Sequence, residues 1–481
     1  AGSAVVPVGG RREQILSLGD TVRLVPVLRQ LRPDDRHSDL KLHMLQLRRL
    51  LRVVRFGVPG CRGGLAQRSA GCRLSVYRLA LLCAIMHSFL LAWSAAQHNA
   101  TIDEIGHLAG GIALWEAGRF DVYRVNPPLV RAVAAAPVVL GGARSDWSAY
   151  RNGPHDRAEW TMGSALVRAS GPEGAYQAFV LARWACIPFS LVGAWVCFRW
   201  ARDLYGSGAG LLAMTLWCFC PNVIGHGQLI TPDVGAASLG ALAGYVFWRW
   251  LRAPDWGSAF LAGLGLGLAE LTKFTWIVLF LVWPIVWLIW RQPRPRTDVA
   301  GIPTGAAPAT GESSAPPART RPREAMQLAV ILFLGLYLTN AGYGFEGTFK
   351  RLDDFDFVSP TLMGTASQEQ DFQATGNRFR GTWAGAIPAP LPANYVLGID
   401  LQKLDFDRGK WSYLGGQWRF GGWWLYYLYA MAVKVPLGTW LLACLAIAAT
   451  LFARGYSASP RDEITLLAPA IAVLGVVSAE T

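Results

Sequence analysis

The chain has 481 residues, 52% of them hydrophobic and only 16% charged, with 21 tryptophans. That composition is too apolar for a soluble protein of this length and describes a polytopic membrane protein. The net charge of +13 reads as arginines gathered in loops on one side of a bilayer, not as a nucleic-acid surface. Eight cysteines (Cys61, Cys72, Cys83, Cys186, Cys197, Cys218, Cys220 and Cys444) lie mostly in apolar runs without a CxxC pair. They indicate neither a disulfide framework nor a zinc knuckle.

Residues 1–73 form a basic N-terminal segment. Its stretch DLKLHMLQLRRLLRVVRF sets Leu40, Met44, Leu47, Leu51 and Val54 on one helical face, with Lys41, Arg48, Arg52 and Arg55 opposite. Such a helix suits an anionic inner leaflet; upstream translated sequence without a selected role is the equal alternative. The segment lacks the apolar core and cleavage site of a signal peptide.

A bilayer span needs roughly 20 apolar residues, and flanking arginines mark the cytoplasmic side. On that basis spans are expected near 74–96, 175–200, 209–225, 234–251, 257–272, 274–290, 325–343, 435–453 and 464–477. The first six make up a region of residues 74–290, and residues 97–174 form an external loop within it. Residues 291–326 are a Pro/Ala/Gly-rich linker with basic ends, expected to be cytoplasmic and disordered. Residues 327–481 carry the last three spans and a second external segment, 344–423, rich in Gly, Pro, Trp and Phe and expected to be an ordered extended loop. Every strongly basic loop then falls inside.

The stretch HNATIDEIGHLAGGIALWEAGRF places Asp103 and Glu104 at the external mouth of the first span, with His107 one helical turn beyond Asp103. Charges held at a membrane surface are costly unless paired or used, so they are functional candidates. The plainer reading is a solvated or capped helix end. His226 and Asp233, in the short external loop GHGQLITPD, can supply a second imidazole and acid to the same face.

Together, DEIGHLAGGIALWEAGRF with NPPLVRAVAAAP, then GHGQLITPDVGAASLGALAGYVFWRWL, GLGLGLAELTKFTW and GGWWLYYLYAMAVKVPL, resemble the lipid-carrier-dependent glycosyltransferases of the GT-C superfamily. Within that superfamily the likeness is to the bacterial relatives of the protein O-mannosyltransferases (glycosyltransferase family 39) and of the lipid A aminoarabinose transferase. The resemblance covers about residues 75–481. Asn126 stands where relatives carry His or Lys before the Pro-Pro, Glu270 replaces a usual apolar residue, and relatives continue into further spans, so a C-terminally incomplete version is expected.

The resemblance implies a GT-C-like helical bundle in the bacterial inner membrane, with its active site facing outside. It would move a hexosyl or pentosyl group from a polyprenyl-phosphate donor to a lipid, glycan or protein acceptor. An inverting transfer needs a carboxylate to accept the acceptor's hydroxyl proton; Asp103 is the candidate base, with Glu104 orienting it or binding the acceptor. His107, Asn126 and His226 are candidate substrate contacts. Asp233 would hold a sugar hydroxyl or, with Asp103, help a divalent metal ion, an alternative that spacing leaves open. The leaving lipid phosphate needs cations near the outer surface. Only six lysines stand against 39 arginines, and Lys273 and Lys434 fall at outer ends of spans, with Arg183 near the outer end of the second. The plainer readings are a Lys273–Glu270 helix pair and a snorkelling Lys434. A transporter or flippase of lipid-linked sugar and a non-catalytic assembly subunit are the rival classes; the first would place charges at mid-membrane and repeat its halves, and neither is seen here.

Overall fold

In the computed structural model, residues 65–292, 320–364, 374–409, 411–452 and 458–479 are described. The basic amphipathic stretch of the first 64 residues and the linker core at 293–319 lie outside them. The chain divides into two units, Ala66–Ile447 with Gly455–Thr481, and Ala1–Leu65 with Ala448–Arg454; the account below concerns the first.

Helices dominate. The first, α1 (Leu65–Ala95), is followed by α2 (Ile102–Ala117), α3 (Leu129–Leu140) and a 48-residue α4 (Ala158–Tyr205). α2 and α3 fall wholly inside the expected external loop. They pack with α4 through Leu108, Ile112, Val130, Ala134, Phe179 and Ala182. Close approach is set by Gly111, where a Cβ would lie 2.3 Å from the Arg131 carbonyl oxygen. α4 is broken at Gly171, whose φ of 66° and ψ of 174° are non-helical, and the part before the break packs against α2.

Next come α5 (Ser207–Cys218), the short α6 (Pro221–His226), α7 (Pro232–Arg252), α8 (Trp256–Glu270), a 3-10 turn at Phe274–Val278, and α9 (Leu279–Trp290). α10 (Thr320–Gly342) starts inside the stretch expected to be linker, because Glu324 pairs with Arg291 and Gln327 accepts from Trp250 Nε1 at 3.1 Å. α7 to α10 share a core in which Phe247 and Trp283 stack with centroids 4.1 Å apart.

The described residues of 344–423, expected to be an extended external loop, include regular elements. They hold α11 (Pro360–Met363), the 15-residue α12 (Ala393–Asp407), and a hairpin of β1 (Trp411–Leu414) and β2 (Gln417–Phe420) paired antiparallel from Trp411 opposite Phe420. α13 (Tyr426–Lys434), α14 (Leu437–Phe452) and α15 (Pro460–Ala479) complete the described chain.

Leu81, Leu82, Ile85, Phe89 and Trp93 on α1, and Phe333 and Tyr337 on α10, are exposed rather than buried. Apolar faces of that extent need a nonaqueous neighbour. Among the described helices, Ser75–Ala95, Ala158–Tyr205 and Arg321–Gly342 are long and apolar enough to cross a bilayer, with a fourth crossing if α13 and α14, bent by 105°, act as one. The molecule is thus a helical membrane protein. The spans expected at 209–225 and 274–290 fall on the shorter apolar helices α5 and Phe274–Trp290, because Pro221 and the break after Glu270 interrupt the apolar runs.

Candidate functional site between the helix ends

Thr101 precedes α2, and its backbone N–H donates to Glu104 Oε2 at 2.9 Å, the reciprocal half of a capping box. That geometry separates the two carboxylates of the opening motif. Asp103 is exposed and enters no hydrogen bond or ion pair among the described residues. Glu104 is fully buried and faces Arg183, which donates from Nε at 2.8 Å and Nη2 at 2.6 Å. The Ile230 N–H, just before α7, adds a bond at 3.2 Å. Burial pushes the Glu104 carboxyl up, but the Arg183 hydrogen bonds and charge together with the Thr101 and Ile230 N–H groups hold it below the usual range.

Arg183 also donates to the carbonyls of Ala95 at 2.9 Å, His98 at 2.8 Å and Asn99 at 2.9 Å. All five guanidinium N–H groups are then engaged, and the side chain is 1% exposed. The carrier-phosphate contact expected of Arg183 is corrected accordingly: the residue ties α1, α2 and α4 together through Glu104. Glu104, saturated in the same way, has no room for an acceptor.

His107 is buried below Asp103. Tyr123 Oη lies 3.2 Å from its Nε2, and Asn126 Nδ2 donates to that oxygen at 3.1 Å, leaving the phenolic hydrogen for the imidazole. Arg131, 1% exposed, lies 5.3 Å from the Tyr123 ring centroid and donates to the carbonyls of Asn126 and Pro127. Burial first, then Arg131 and Lys273, push the His107 pKa down to about 3 against the pull of Asp233. His107 is therefore a neutral, internally bonded ring, and Asn126 positions Tyr123.

Lys273 Nζ donates to Asp233 Oδ1 at 2.7 Å, with 32% and 52% of the two side chains exposed. The helix pair with Glu270 does not form. α8 ends at Glu270, Lys273 is extended at φ −155° and ψ 136°, and Glu270 instead accepts from Tyr395 Oη of α12 at 2.7 Å. Burial raises the Asp233 pKa, but Lys273, with His226 and the Thr231 side chain, brings it below the usual range. His226 ends α6, exposed. Lys434 is exposed too, and its carbonyl accepts from Asn222 Nδ2 at 3.0 Å, which brings the end of α13 beside α6.

Among the described residues, no three His, Cys, Asp or Glu side chains converge where a metal ion could sit. Sequence reading passed over Tyr123 and Arg131. The signal was present: an arginine inside the apolar run LVRAVAAAP must be buried with partners.

Fold and site together define a helical membrane protein whose polar residues meet where helices end. Residues 177–304 match the family model described as dolichyl-phosphate-mannose-protein mannosyltransferase. That family lies in the GT-C superfamily, so over the matched residues the resemblance read from the motifs is borne out, and the match supports a membrane glycosyltransferase of that type. The match spans the Asp233–Lys273 pair; Asp103 precedes it. No curated protein and no solved structure matches the chain.

Proposed function

We propose that the chain transfers a sugar from a polyprenyl-phosphate donor to a lipid, glycan or protein acceptor on the extracytoplasmic face of a bacterial inner membrane, through about nine spans. The observation that carries this reading is the contrast within the acidic pair: Glu104 is locked inside, whereas Asp103 is exposed and uncommitted one turn before His107. An exposed carboxylate at the rim of a buried polar cluster is suited to proton acceptance.

In the transfer, the acceptor oxygen attacks the anomeric carbon as its proton passes to an Asp103 carboxylate oxygen. The sugar–phosphate C–O bond breaks, and its electron pair leaves with the carrier phosphate. Lys273 and Lys434 are the cations for that phosphate; Lys273 can exchange Asp233 for it because both side chains are partly open. Asp233, once released, is free to accept from a sugar hydroxyl. His226, exposed beside Asp233, is a further sugar contact.

The test measures transfer of labelled sugar from a polyprenyl-phosphate donor, with donor binding in parallel. Asp103→Asn should lower turnover by about a hundredfold or more, the scale of a general base, and leave donor binding intact. Undiminished transfer removes Asp103 as the base. Failure of the unmodified chain to use any such donor, while moving lipid-linked sugar across vesicles, favours the flippase reading.

A further inference from the structure

A second polar feature lies away from the His107 and Asp233–Lys273 cluster. The two external segments enclose a cavity of about 180 Å³, lined on one side by Arg124 and Asn152 and on the other by Lys350, Phe355, Asp356 and Asp400. At about 30 Å³ per water, it holds the volume of about six waters.

Its charges do not cancel. Arg124 donates from Nε to Asn394 Oδ1 and from Nη2 to Asn152 Oδ1, both at 2.9 Å; these are neutral amides. Lys350 Nζ sits 4.8 Å from the Phe355 ring centroid. Neither cation forms an ion pair among the described residues. Of the carboxylates nearby, Asp356 is paired with Arg380 at 3.2 Å, and buried Asp400 accepts from the N–H groups of Val358 at 2.7 Å and Ser359 at 3.0 Å, which carry no formal charge. Two cations against that one unpaired carboxylate leave the partly enclosed recess net positive, which favours an anion.

We propose that this cavity binds an anionic group, a phosphate or carboxylate, carried by the acceptor. Only external segments build it. Arg124 is the residue after Tyr123, so the short run 123–126 turns Tyr123 and Asn126 toward His107 and Arg124 into the cavity. An acceptor seated there is held across one chain segment from the candidate base. Assigning the anion to the acceptor rests on the transferase reading; anion binding itself does not.

The experiment uses the full-length chain in lipid nanodiscs, with binding of glucose 6-phosphate, glucuronate and glucose followed by ligand-detected NMR. A charged sugar should bind and glucose should not; the phosphate and carboxylate arms tell which anion is preferred. Lys350→Gln is the clean variant, since that exposed side chain touches only a ring, and it should weaken binding about tenfold, the weight of one charge-assisted hydrogen bond. Lys350→Arg should retain most of the affinity. Equal binding of glucose or indifference to Lys350→Gln overturns the proposal. Anion binding without sugar transfer upholds the cavity and removes the transferase reading.

Discussion

With its pKa pushed down to about 3 by burial, His107 stays neutral at physiological pH and serves as a hydrogen-bonding partner for Tyr123. The unfolded chain protonates the same ring near 6.5. Between about pH 6.5 and 3 the unfolded state therefore binds the extra proton, and stability falls as the solution is acidified. Thermal unfolding of the purified protein across that range should show a shallower acid decline for His107→Gln than for the unmodified chain; equal slopes would mean that the imidazole is not held neutral. Lys273 invites a different measurement. Lys273→Met should weaken use of the donor without unfolding the protein, and Lys273→Arg should restore it only in part, because the guanidinium is wider. If Glu270→Gln reproduces Lys273→Met in full, Lys273 acts through a salt bridge to Glu270 that the folded geometry does not contain. At this scale the acidic motif was legible as chemistry, but which carboxylate faces inward was not. Asp103 and Glu104 differ by one position on a helix, about a hundred degrees of rotation, and only the location of Arg183, 79 residues away, decides which of them is buried.

The helices α1, α2 and α4 are joined through that ion pair, and α2 meets α3 closely at Gly111. Removing one partner of a buried pair typically costs about 3–5 kcal/mol. Arg183→Gln and Glu104→Gln should therefore lower the yield and melting temperature of folded protein, not turnover alone. A Glu104→Gln variant with normal melting but impaired transfer would return Glu104 to the chemistry. Gly111→Ala should also destabilise, by about 1–3 kcal/mol, since the new methyl meets backbone that cannot rotate away. Apolar runs revealed most helices, because hydrophobic length survives in any context. α12 escaped notice for the opposite reason. Its sequence ANYVLGIDLQKLDFD mixes burial on several sides, with Tyr395 reaching Glu270 and Asp400 reaching Val358, so no single apolar face announces it.

Across the whole molecule, the basic loops assign an orientation that labelling can check. Single cysteines at Ser148 and Ser412 should react with an impermeant thiol reagent in intact cells, and one at Ser314 should not. Labelling at position 314 alone would invert the scheme and move the proposed chemistry to the cytoplasm.

Length imposes a further requirement. A straight α-helix of 48 residues would extend about 72 Å at 1.5 Å per residue, more than twice the roughly 30 Å of a hydrocarbon core. α4 can therefore serve both an external layer and a crossing only if it changes direction, and it does so at Gly171, in a conformation that is essentially restricted to glycine. Thirteen residues lie before that corner and 34 after it, so the longer arm alone has the reach to traverse the bilayer and still carry Arg183 to Glu104. The corner divides the rod into two arms that need not share one direction. A bulky residue there would force the rod toward straightness and pull its two ends out of register with the membrane.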